Sequence, residues 1–366
     1  MLLADQGAEV IRVEPSIAGR SGGNPKNDVT RRNRKNIVIN LKEPKGVEAL
    51  KKLCETADIL LEGFRPGVIE KLGVGPDVLL NINPKIVVGR MTGWGQTGPL
   101  SKAAGHDINY ISLSGALHAI GRKGEKPVPP LNLVGDFGGG SMFLAYGVLC
   151  AYIEAQKSGK GQVVDAAMTE GSAALLASLF GMASTGGWTE ERGTNLLDTG
   201  AHFYDAYECK DGKHISIGSI EGKFYDDLLK LGGMLDIPEL SRKEQFNQKD
   251  WQNKKRIVER VFKTKTQKEW CDLMEGSDVC FAPILSMWDA PKHPHAKARE
   301  SFYDIDGITH PAPAPKFSRT PSSKPVPSPQ TGAHTIEILS DLGYNQSDID
   351  TMLKNGAVAQ AKGSSL

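Results

Sequence analysis

Residues 44–62, PKGVEALKKLCETADILLE, carry the strongest fold signal, because they place a helix directly before a short apolar strand. Apolar residues three and four apart predict a helix over Pro44–Thr56, and the run that follows predicts a strand over Asp58–Glu62. Strands are also predicted at Glu9–Glu14 and Lys85–Met91, on either side of this pair. Such alternation of strand and helix is typical of a parallel, doubly wound, Rossmann-like α/β sheet.

The pattern continues and then changes character after Gly186-Gly187. The further predicted elements of the first half are helical pieces at Pro66–Lys71 and Val78–Ile82, helices 108–119 and 138–157, a strand at Gln162–Ala167 and a helix at Glu170–Ser184. An Asp211-Gly212 turn between Tyr204–Cys209 and His214–Ser219 predicts a hairpin. Charged helices follow to about residue 276, and 310–329 is rich in Pro and Ser.

Three segments are therefore expected. Residues 1–186 form a large α/β domain that binds the ligand, and 187–308 form an inserted, smaller α+β domain. Residues 309–366 form an extended connector and a C-terminal segment that returns to the large domain. A chain of 366 residues is long enough for more than one core.

Composition excludes several classes of protein. The net charge is +1, with 44 Lys and Arg against 43 Asp and Glu, so no global field favours nucleic acid or an anionic membrane. The apolar runs are taken as too short to span a bilayer, and no secretory signal is recognised. The five cysteines are scattered without C-x-x-C spacing, which indicates a reducing, intracellular compartment and neither a disulfide framework nor a metal site.

Two short stretches carry candidate chemistry: 104–110, AGHDINY, and 135–141, GDFGGGS. Each places a potential proton carrier, His106 or Asp136, where an apolar helix begins. A histidine and a carboxylate held on rigid elements suit two-base proton transfer, and N–H groups at a helix start can bind an oxyanion. The residues alone also permit a structural interpretation, in which His106-Asp107 is a capping pair and the glycines form a tight turn.

The same stretches closely resemble the α-methylacyl-CoA racemases, which belong to the family III CoA-transferase superfamily. The resemblance extends over nearly the whole chain and includes residues 91–99, 127–140, 159–166, 195–198 and 220–221. It implies a large CoA-binding domain, an inserted smaller domain and a homodimer whose two subunits are interlocked. It also implies that this chain starts inside the first helix of the family, with the first strand of the sheet missing.

The resemblance further implies a chemistry. The α-proton of a 2-methylacyl-CoA thioester is removed to give an enolate, and a proton is returned on the opposite face. His106 and Asp136 would serve opposite faces, and Glu221 would hydrogen-bond His106 from the partner subunit. Backbone N–H groups near Asp136 and Gly138 would donate to the enolate oxygen. The role of Asp107 stays open between orienting His106 and orienting a nearby helix.

Asp136 must be able to hold a proton near neutrality if it is to act as an acid. Burial against Phe137 and Met142 would favour the neutral carboxyl group, whereas a helix N-terminus favours the anion. These two effects oppose each other, and the sequence does not decide between them.

The CoA thioester is expected as substrate rather than as a resident cofactor. A basic cluster at 31–35 supplies Arg32 and Arg34 as candidate phosphate ligands, and Arg65 and Lys71 flank a segment that resembles the CoA-contacting one of the family. No G-x-G-x-x-G follows a predicted strand, which disfavours a dinucleotide. Pro15 stands where relatives often carry Arg.

Two other functions stay open. One is a family III CoA-transferase with Asp136 as nucleophile; such enzymes generally lack the histidine at the position of His106. The other is a non-catalytic CoA-binding subunit. The C-terminal Ser364-Ser365-Leu366 resembles a peroxisomal address, so peroxisome or mitochondrion is expected for a eukaryotic source, and cytoplasm otherwise.

Overall fold

The computed structural model describes residues 1–17 and 28–361, so Ser364-Ser365-Leu366 lies outside the described residues. The chain forms two compact units. Unit 1 comprises Met1–Ala104, Gly140–Met168 and the chain from Pro291 onward, and unit 2 comprises Gly105–Gly139 and Thr169–Ala290. These units cut the chain at other places than the predicted domains 1–186, 187–308 and 309–366, because residues 105–139 and the helices after 168 make most of their contacts with each other and with the hairpin region.

The helices of unit 1 are α1 (Leu2–Asp5), α2 (Pro44–Cys54), α3 (Val68–Lys71), α4 (Pro76–Ile82), α7 (Phe143–Ser158), α13 (Pro294–Ala298), α14 (Thr335–Asp341) and α15 (Gln346–Lys354). Those that lie wholly or mostly in unit 2 are α5 (Asp107–Leu113), α6 (Ala116–Ala119), α8 (Met168–Leu175), α9 (Ala177–Ser184), α10 (Gly222–Leu231), α11 (Trp251–Phe262) and α12 (Gln267–Met274). A π-helix spans Leu133–Met142, and short 3₁₀ turns lie at Val29–Arg31, Pro238–Leu240, Arg242–Glu244, Gln248–Asp250 and Ala290–Lys292.

The strands are β1 (Ile11–Glu14), β2 (Lys35–Ile39), β3 (Ile59–Glu62), β4 (Val87–Thr92), β5 (Val163–Ala167), β6 (Tyr204–Glu208), β7 (His214–Gly218), β8 (Phe281–Pro283), β9 (Phe302–Ile305), β10 (Ile308–Pro311) and β11 (Val358–Ala359). They form three three-stranded sheets, ordered β1-β2-β11, β3-β4-β5 and β6-β7-β8, and the β9-β10 pair.

The sheet β3-β4-β5 confirms the predicted parallel α/β fold. Both strand pairs run parallel, with Glu62 opposite Arg90 and Arg90 opposite Asp165. Helix α7 packs across β4, where a Cβ at Gly89 would lie 2.6 Å from Val148 Cγ1. The missing side chain at Gly89 therefore lets the helix approach the sheet backbone closely.

The sheet β1-β2-β11 contains a strand that the sequence interpretation missed. β2 has four buried residues in succession after Lys35, whereas the adjacent arginines had been interpreted only as a basic cluster. It pairs in parallel with β1 and antiparallel with β11. Among the described strands, β1 and β3 each pair along one edge only.

Unit 2 contains the predicted hairpin. β6 and β7 pair antiparallel in the register Tyr204↔Gly218, and β8 adds to the far edge of β7. Helices α10, α11 and α12 contribute Tyr225, Phe262 and Trp270 to the buried core beneath this sheet. The predicted helix 108–119 is instead divided into α5 and α6, because Gly115 takes a φ of +90°.

A continuous helical stretch, Leu133–Ser158, corrects the statement that every apolar run is too short to span a bilayer. It has 26 residues and, by length and composition, could cross a membrane. Core helices of soluble proteins pass the same test, and the structure contains no bilayer. Length alone therefore does not exclude membrane contact for this segment.

A buried histidine in unit 2 makes the stability depend on pH. The side chain of His202 lies 2.8 Å (Nε2) from the hydroxyl of Tyr225, which in turn donates to the carbonyl oxygen of Leu240. Nε2 of His202 must therefore carry the hydrogen and donate it. Burial, together with the positive charges of Lys254 and Lys255, lowers the pKa of His202 to about 3.

We expect acid to weaken the fold through this residue. The unfolded histidine takes up a proton below about pH 6.5 and the folded one does not, so stability is complete above that pH and falls as the pH drops toward 3. Through His202, the free energy of unfolding should fall by about 1.4 kcal/mol for each pH unit between pH 6 and pH 4. Urea unfolding at several pH values should show a shallower pH dependence for His202→Gln than for the unmodified chain; equal slopes would contradict this assignment.

Candidate functional site

The first predicted proton carrier, His106, is the N-cap residue of α5. Its backbone N–H donates to Oδ1 of Asn109 over 3.0 Å, which satisfies an amide that the first turn leaves unpaired. The residue is solvent-exposed. The capping interpretation is therefore correct for the backbone of His106.

The second predicted proton carrier, Asp136, lies in the first turn of the π-helix Leu133–Met142. The glycine-rich stretch is therefore helical and is not the tight turn of the structural alternative. One turn before Asp136, Asn132 donates from its Nδ2 atom to Oδ2 of the carboxylate over 3.2 Å. Sequence reasoning missed Asn132, although its spacing of four residues from Asp136 was the available signal.

Asp107 joins the two candidate stretches. Its Oδ2 atom accepts a hydrogen bond from the backbone N–H of Asp136 over 2.7 Å, although the residues are 29 positions apart. The Asp107 side chain is buried, and its Oδ1 atom has no hydrogen-bond partner among the described residues. Asp107 thus contacts the start of the segment that bears Asp136, and its role in orienting either that segment or His106 stays a prediction.

This hydrogen bond also corrects one expectation. The N–H of Asp136 is taken by Asp107, so it does not remain as a donor for an enolate oxygen. Gly138 lies within the same π-helix, and its N–H stays a predicted oxyanion donor. Phe137 and Met142, expected to bury Asp136, are themselves exposed, and Asp136 is half-buried within the chain.

The glycines in this region make room for backbone and carboxylate contacts. A Cβ at Gly135 would lie 2.5 Å from Oδ2 of Asp107, and one at Gly139 would lie 2.5 Å from the backbone nitrogen of Ser172. On the facing helix, a Cβ at Gly171 would lie within 2 Å of the Gly139 carbonyl oxygen. Any side chain at these positions would displace the segment that bears Asp136.

Glu221 is the N-cap residue of α10, follows Ser219 and Ile220 after the end of β7, and is exposed. Within the described part of one chain, no hydrogen bond joins Glu221 to His106. Its assignment as the partner of that histidine stays a prediction.

Arg32 has a structural environment that differs from the expected phosphate site. Its guanidinium forms two hydrogen bonds to the Asp5 carboxylate, at 3.0 and 2.7 Å, and a third to the Pro311 carbonyl oxygen at 2.6 Å. The Arg32 side chain is only 1% exposed. A phosphate could reach it only by displacing Asp5, so Arg32 holds three segments of unit 1 together.

The other three predicted CoA contacts, Arg34, Arg65 and Lys71, stay predictions. Arg34 donates to the Thr30 carbonyl oxygen at 2.6 Å, and burial together with the charge of Arg12 lowers the pKa of its guanidinium. Its Nε atom is buried and has no hydrogen-bond partner among the described residues. Arg65 and Lys71 are exposed, and neither forms an ion pair within the described ranges.

Across residues 1–17 and 28–361, no three His, Cys, Asp or Glu side chains form a group suited to a metal ion. The predicted site residues His106, Asp107 and Asp136 all lie within unit 2.

Comparison with known proteins gives a consistent set of relatives. The sequence profile of CoA-transferase family III matches residues 1–335. The α-methylacyl-CoA racemase of mouse (Mus musculus) is 44% identical over 354 residues, covering 95% of this chain and 90% of that protein. The human (Homo sapiens) racemase is 42% identical over 356 residues, with the same coverage of 95% and 90%.

A solved structure shares the fold. The CaiB/BaiF family protein of Brucella suis superposes with a TM-score of 0.76 at 23% sequence identity, over 93% of each chain. The profile match spans most of the sequence, and both racemases align with nearly all of it. The chain belongs to CoA-transferase family III.

Proposed function

We propose that this protein is an α-methylacyl-CoA racemase, an isomerase that interconverts (2R)- and (2S)-2-methylacyl-CoA thioesters. The observation that carries the proposal is the hydrogen bond from the Asp136 amide to Asp107, the residue next to His106. It links the side chain of Asp107 to the backbone of Asp136 within one unit. The identities of 42% and 44% to two racemases support the same reaction class.

The reaction needs one free base and one acid on opposite faces of the α-carbon. When the proton leaves, the electron pair of the C–H bond moves into the thioester and places negative charge on its carbonyl oxygen. Return of a proton on the other face restores the carbonyl group and inverts the centre. We assign one face to His106 and the other to Asp136. The residue that removes the proton ends the turnover protonated, and the residue that returns a proton ends it deprotonated.

The main alternative is a CoA-transferase of the same family. There a carboxylate at the position of Asp136 would attack the thioester carbon and expel the CoA thiolate, forming an acyl anhydride. That reaction requires no proton carrier at His106. The exposed imidazole at the start of α5 therefore favours the racemase.

Isotope exchange separates these two reactions. One enantiomer of a 2-methylacyl-CoA is incubated with the protein in deuterated water, and configuration and α-deuterium content are followed together. We expect deuterium to enter at the α-carbon, with inversion and an intact thioester. Transfer of CoA to an added carboxylic acid, with no α-exchange, would replace the racemase assignment by the transferase.

Two substitutions of Asp107 test whether its contact with the Asp136 amide matters for turnover. Asp107→Ala removes the acceptor that holds the Asp136 amide, and a displacement of about 1 Å is enough to lower turnover roughly 100-fold. Asp107→Asn keeps an acceptor oxygen and should lose less. Turnover is measured on protein whose thermal unfolding is unchanged, with Asp226→Asn, at an exposed ion pair, as the control. Full activity in Asp107→Ala would contradict the positioning role.

We also propose a homodimer. The helix that ends at Ser158 exposes large apolar side chains at spacings of four, three and four residues: Met142, Tyr146, Leu149 and Ile153. These positions share one helical face, and a continuous apolar stripe of this kind is typical of an interface. A second copy of the chain would cover it.

The homodimer would let Glu221 reach His106 of the other subunit. His106→Ala and Glu221→Ala chains, each inactive alone, should recover part of the activity when co-expressed, because one of the two sites in each heterodimer keeps both groups. Activity is measured on heterodimers purified through two different tags. If purified heterodimers are inactive, the two residues act within one chain or Glu221 has no role in turnover.

A further inference from the structure

A buried arginine in unit 1 lies beneath the segment that carries two of the candidate phosphate ligands. Arg90 is on β4, directly opposite Glu62 at the end of the neighbouring strand β3. Its Nε atom donates to Oε1 of Glu62 over 2.6 Å. The side chains of Arg90 and Glu62 are 8% and 4% exposed, so this ion pair is removed from water.

The same guanidinium reaches the far end of the segment. Nη1 and Nη2 of Arg90 donate to the two carboxylate oxygens of Glu70, at 2.7 and 3.4 Å. Burial raises the pKa of Glu70, but the hydrogen bonds and positive charge of Arg90, together with backbone hydrogen bonds, lower that pKa overall and keep the carboxylate charged. Arg90 thus binds one carboxylate before residues 63–69 and one after them.

The near end of the segment is fixed by a further contact. The second oxygen of Glu62 accepts a hydrogen bond from the backbone N–H of Phe64 over 2.7 Å. Between the two anchors the chain turns at Gly67, where φ is +85°, and enters α3. Arg65 and Lys71 project from this turn region as exposed cations with no ion-pair partner among the described residues.

We propose that Arg90 is a positioning residue that holds the 63–71 segment in the shape in which Arg65 and Lys71 bind the phosphate groups of the CoA thioester. This inference rests on the proposed function, because it assigns the ligand of the segment. Arg90 itself does not touch the ligand. It acts by fixing both ends of the turn, so that the two cations are already in place when the anion arrives.

The test compares two thioesters that differ only in the phosphate-bearing part: a 2-methylacyl-CoA and the corresponding 2-methylacyl-pantetheine. In Arg90→Met we expect KM for the CoA thioester to rise roughly 10- to 100-fold, the range of a lost charge-assisted contact. We expect kcat to change little, and KM for the pantetheine thioester to stay the same. A merely structural role would alter both substrates equally and would overturn the proposal.

Arg90→Met leaves Glu62 buried without its partner, which can prevent folding. Glu70→Ala is therefore used as a second variant that tests the same role. Glu70 is 42% exposed, so its removal leaves the strand pair intact while it frees the far end of the segment. We expect the same substrate-selective rise in KM, with rescue in Glu70→Gln, which retains an acceptor. Lys45→Met, at an exposed ion pair with Glu48, is the matched control and should change neither KM.

Calorimetric binding of CoA itself separates this proposal from the proposed function. If CoA binds but no thioester is racemised, the function is wrong and the weaker binding of Glu70→Ala still supports the positioning role. If CoA binds the unmodified chain and Glu70→Ala equally well, or does not bind at all, the positioning role is wrong. Arg65→Gln and Glu70→Ala should both act through the contact between Arg65 and the CoA phosphate. The fold-loss of CoA affinity in the double variant should therefore be smaller than the product of the fold-losses in the two single variants.

Discussion

Replacing His106 by alanine or Asp136 by asparagine should lower racemisation by roughly 10²–10⁴-fold or more, because each removes one of the two proton carriers that we propose. The two variants should nevertheless differ in a partial reaction. The remaining carrier can still remove an α-proton and return one on its own face. Each variant should therefore exchange the α-hydrogen of one enantiomer without inverting it.

The measurement uses each enantiomer separately in deuterated water. We expect His106→Ala and Asp136→Asn to label opposite enantiomers, since the proposal places these side chains on opposite faces. Asn132→Ala, which removes the hydrogen bond to the Asp136 carboxylate, should weaken exchange only on the face served by Asp136. If both catalytic variants labelled the same enantiomer, the assignment of His106 and Asp136 to opposite faces would have to be abandoned.

The largest loss of stability is expected at the buried pair of Arg32 and Asp5. Asp5→Ala leaves an uncompensated guanidinium in the interior, which costs about 3–5 kcal/mol of the free energy of unfolding. Arg32→Met leaves a buried carboxylate and should cost a similar amount. The double variant Arg32→Met with Asp5→Leu removes both charges and should recover most of the loss, because well-packed apolar residues replace buried ion pairs at little cost.

The same double variant decides whether Arg32 binds phosphate. Urea unfolding gives its stability, and calorimetry gives its affinity for CoA. We expect the folded double variant to bind CoA as the unmodified chain does, because Asp5 and Pro311 already occupy the guanidinium. A large loss of affinity in a stable double variant would return Arg32 to the ligand site.

Local patterns in the sequence were sufficient for much of the fold. The parallel strands β3, β4 and β5 and the β6-β7 hairpin follow from short apolar runs bounded by helices or an Asp-Gly turn. The sequence pattern does not predict strand β2, because its short apolar run directly follows four basic residues within five positions and lacks the flanking turn signals of a strand. The π-helix was missed because hydrophobic spacing does not distinguish it from a tight turn followed by an α-helix.

Less of the candidate site than of the fold could be predicted from the sequence. His106 and Asp136 stand out through the residues beside them, so sequence motifs could suggest them. The roles of Asp107 and Arg32 depend on partners 29 and 27 positions away, and neither charge nor spacing reveals such partners. Arg90 was likewise overlooked, since a lone arginine in an apolar strand gives no indication of the carboxylates that it binds.

The backbone contact between Gly139 and Gly171 restricts the substitutions that this enzyme can tolerate during evolution. Two helices touch where neither has a side chain, so the contact leaves no space into which even one methyl group can be added. Positions without any reactive atom should therefore be as intolerant of random substitution as the proton carriers themselves. Substitutions that alter activity are expected at neighbouring positions such as Asn132. Gly139 and Gly171 are expected to remain glycine in every active variant.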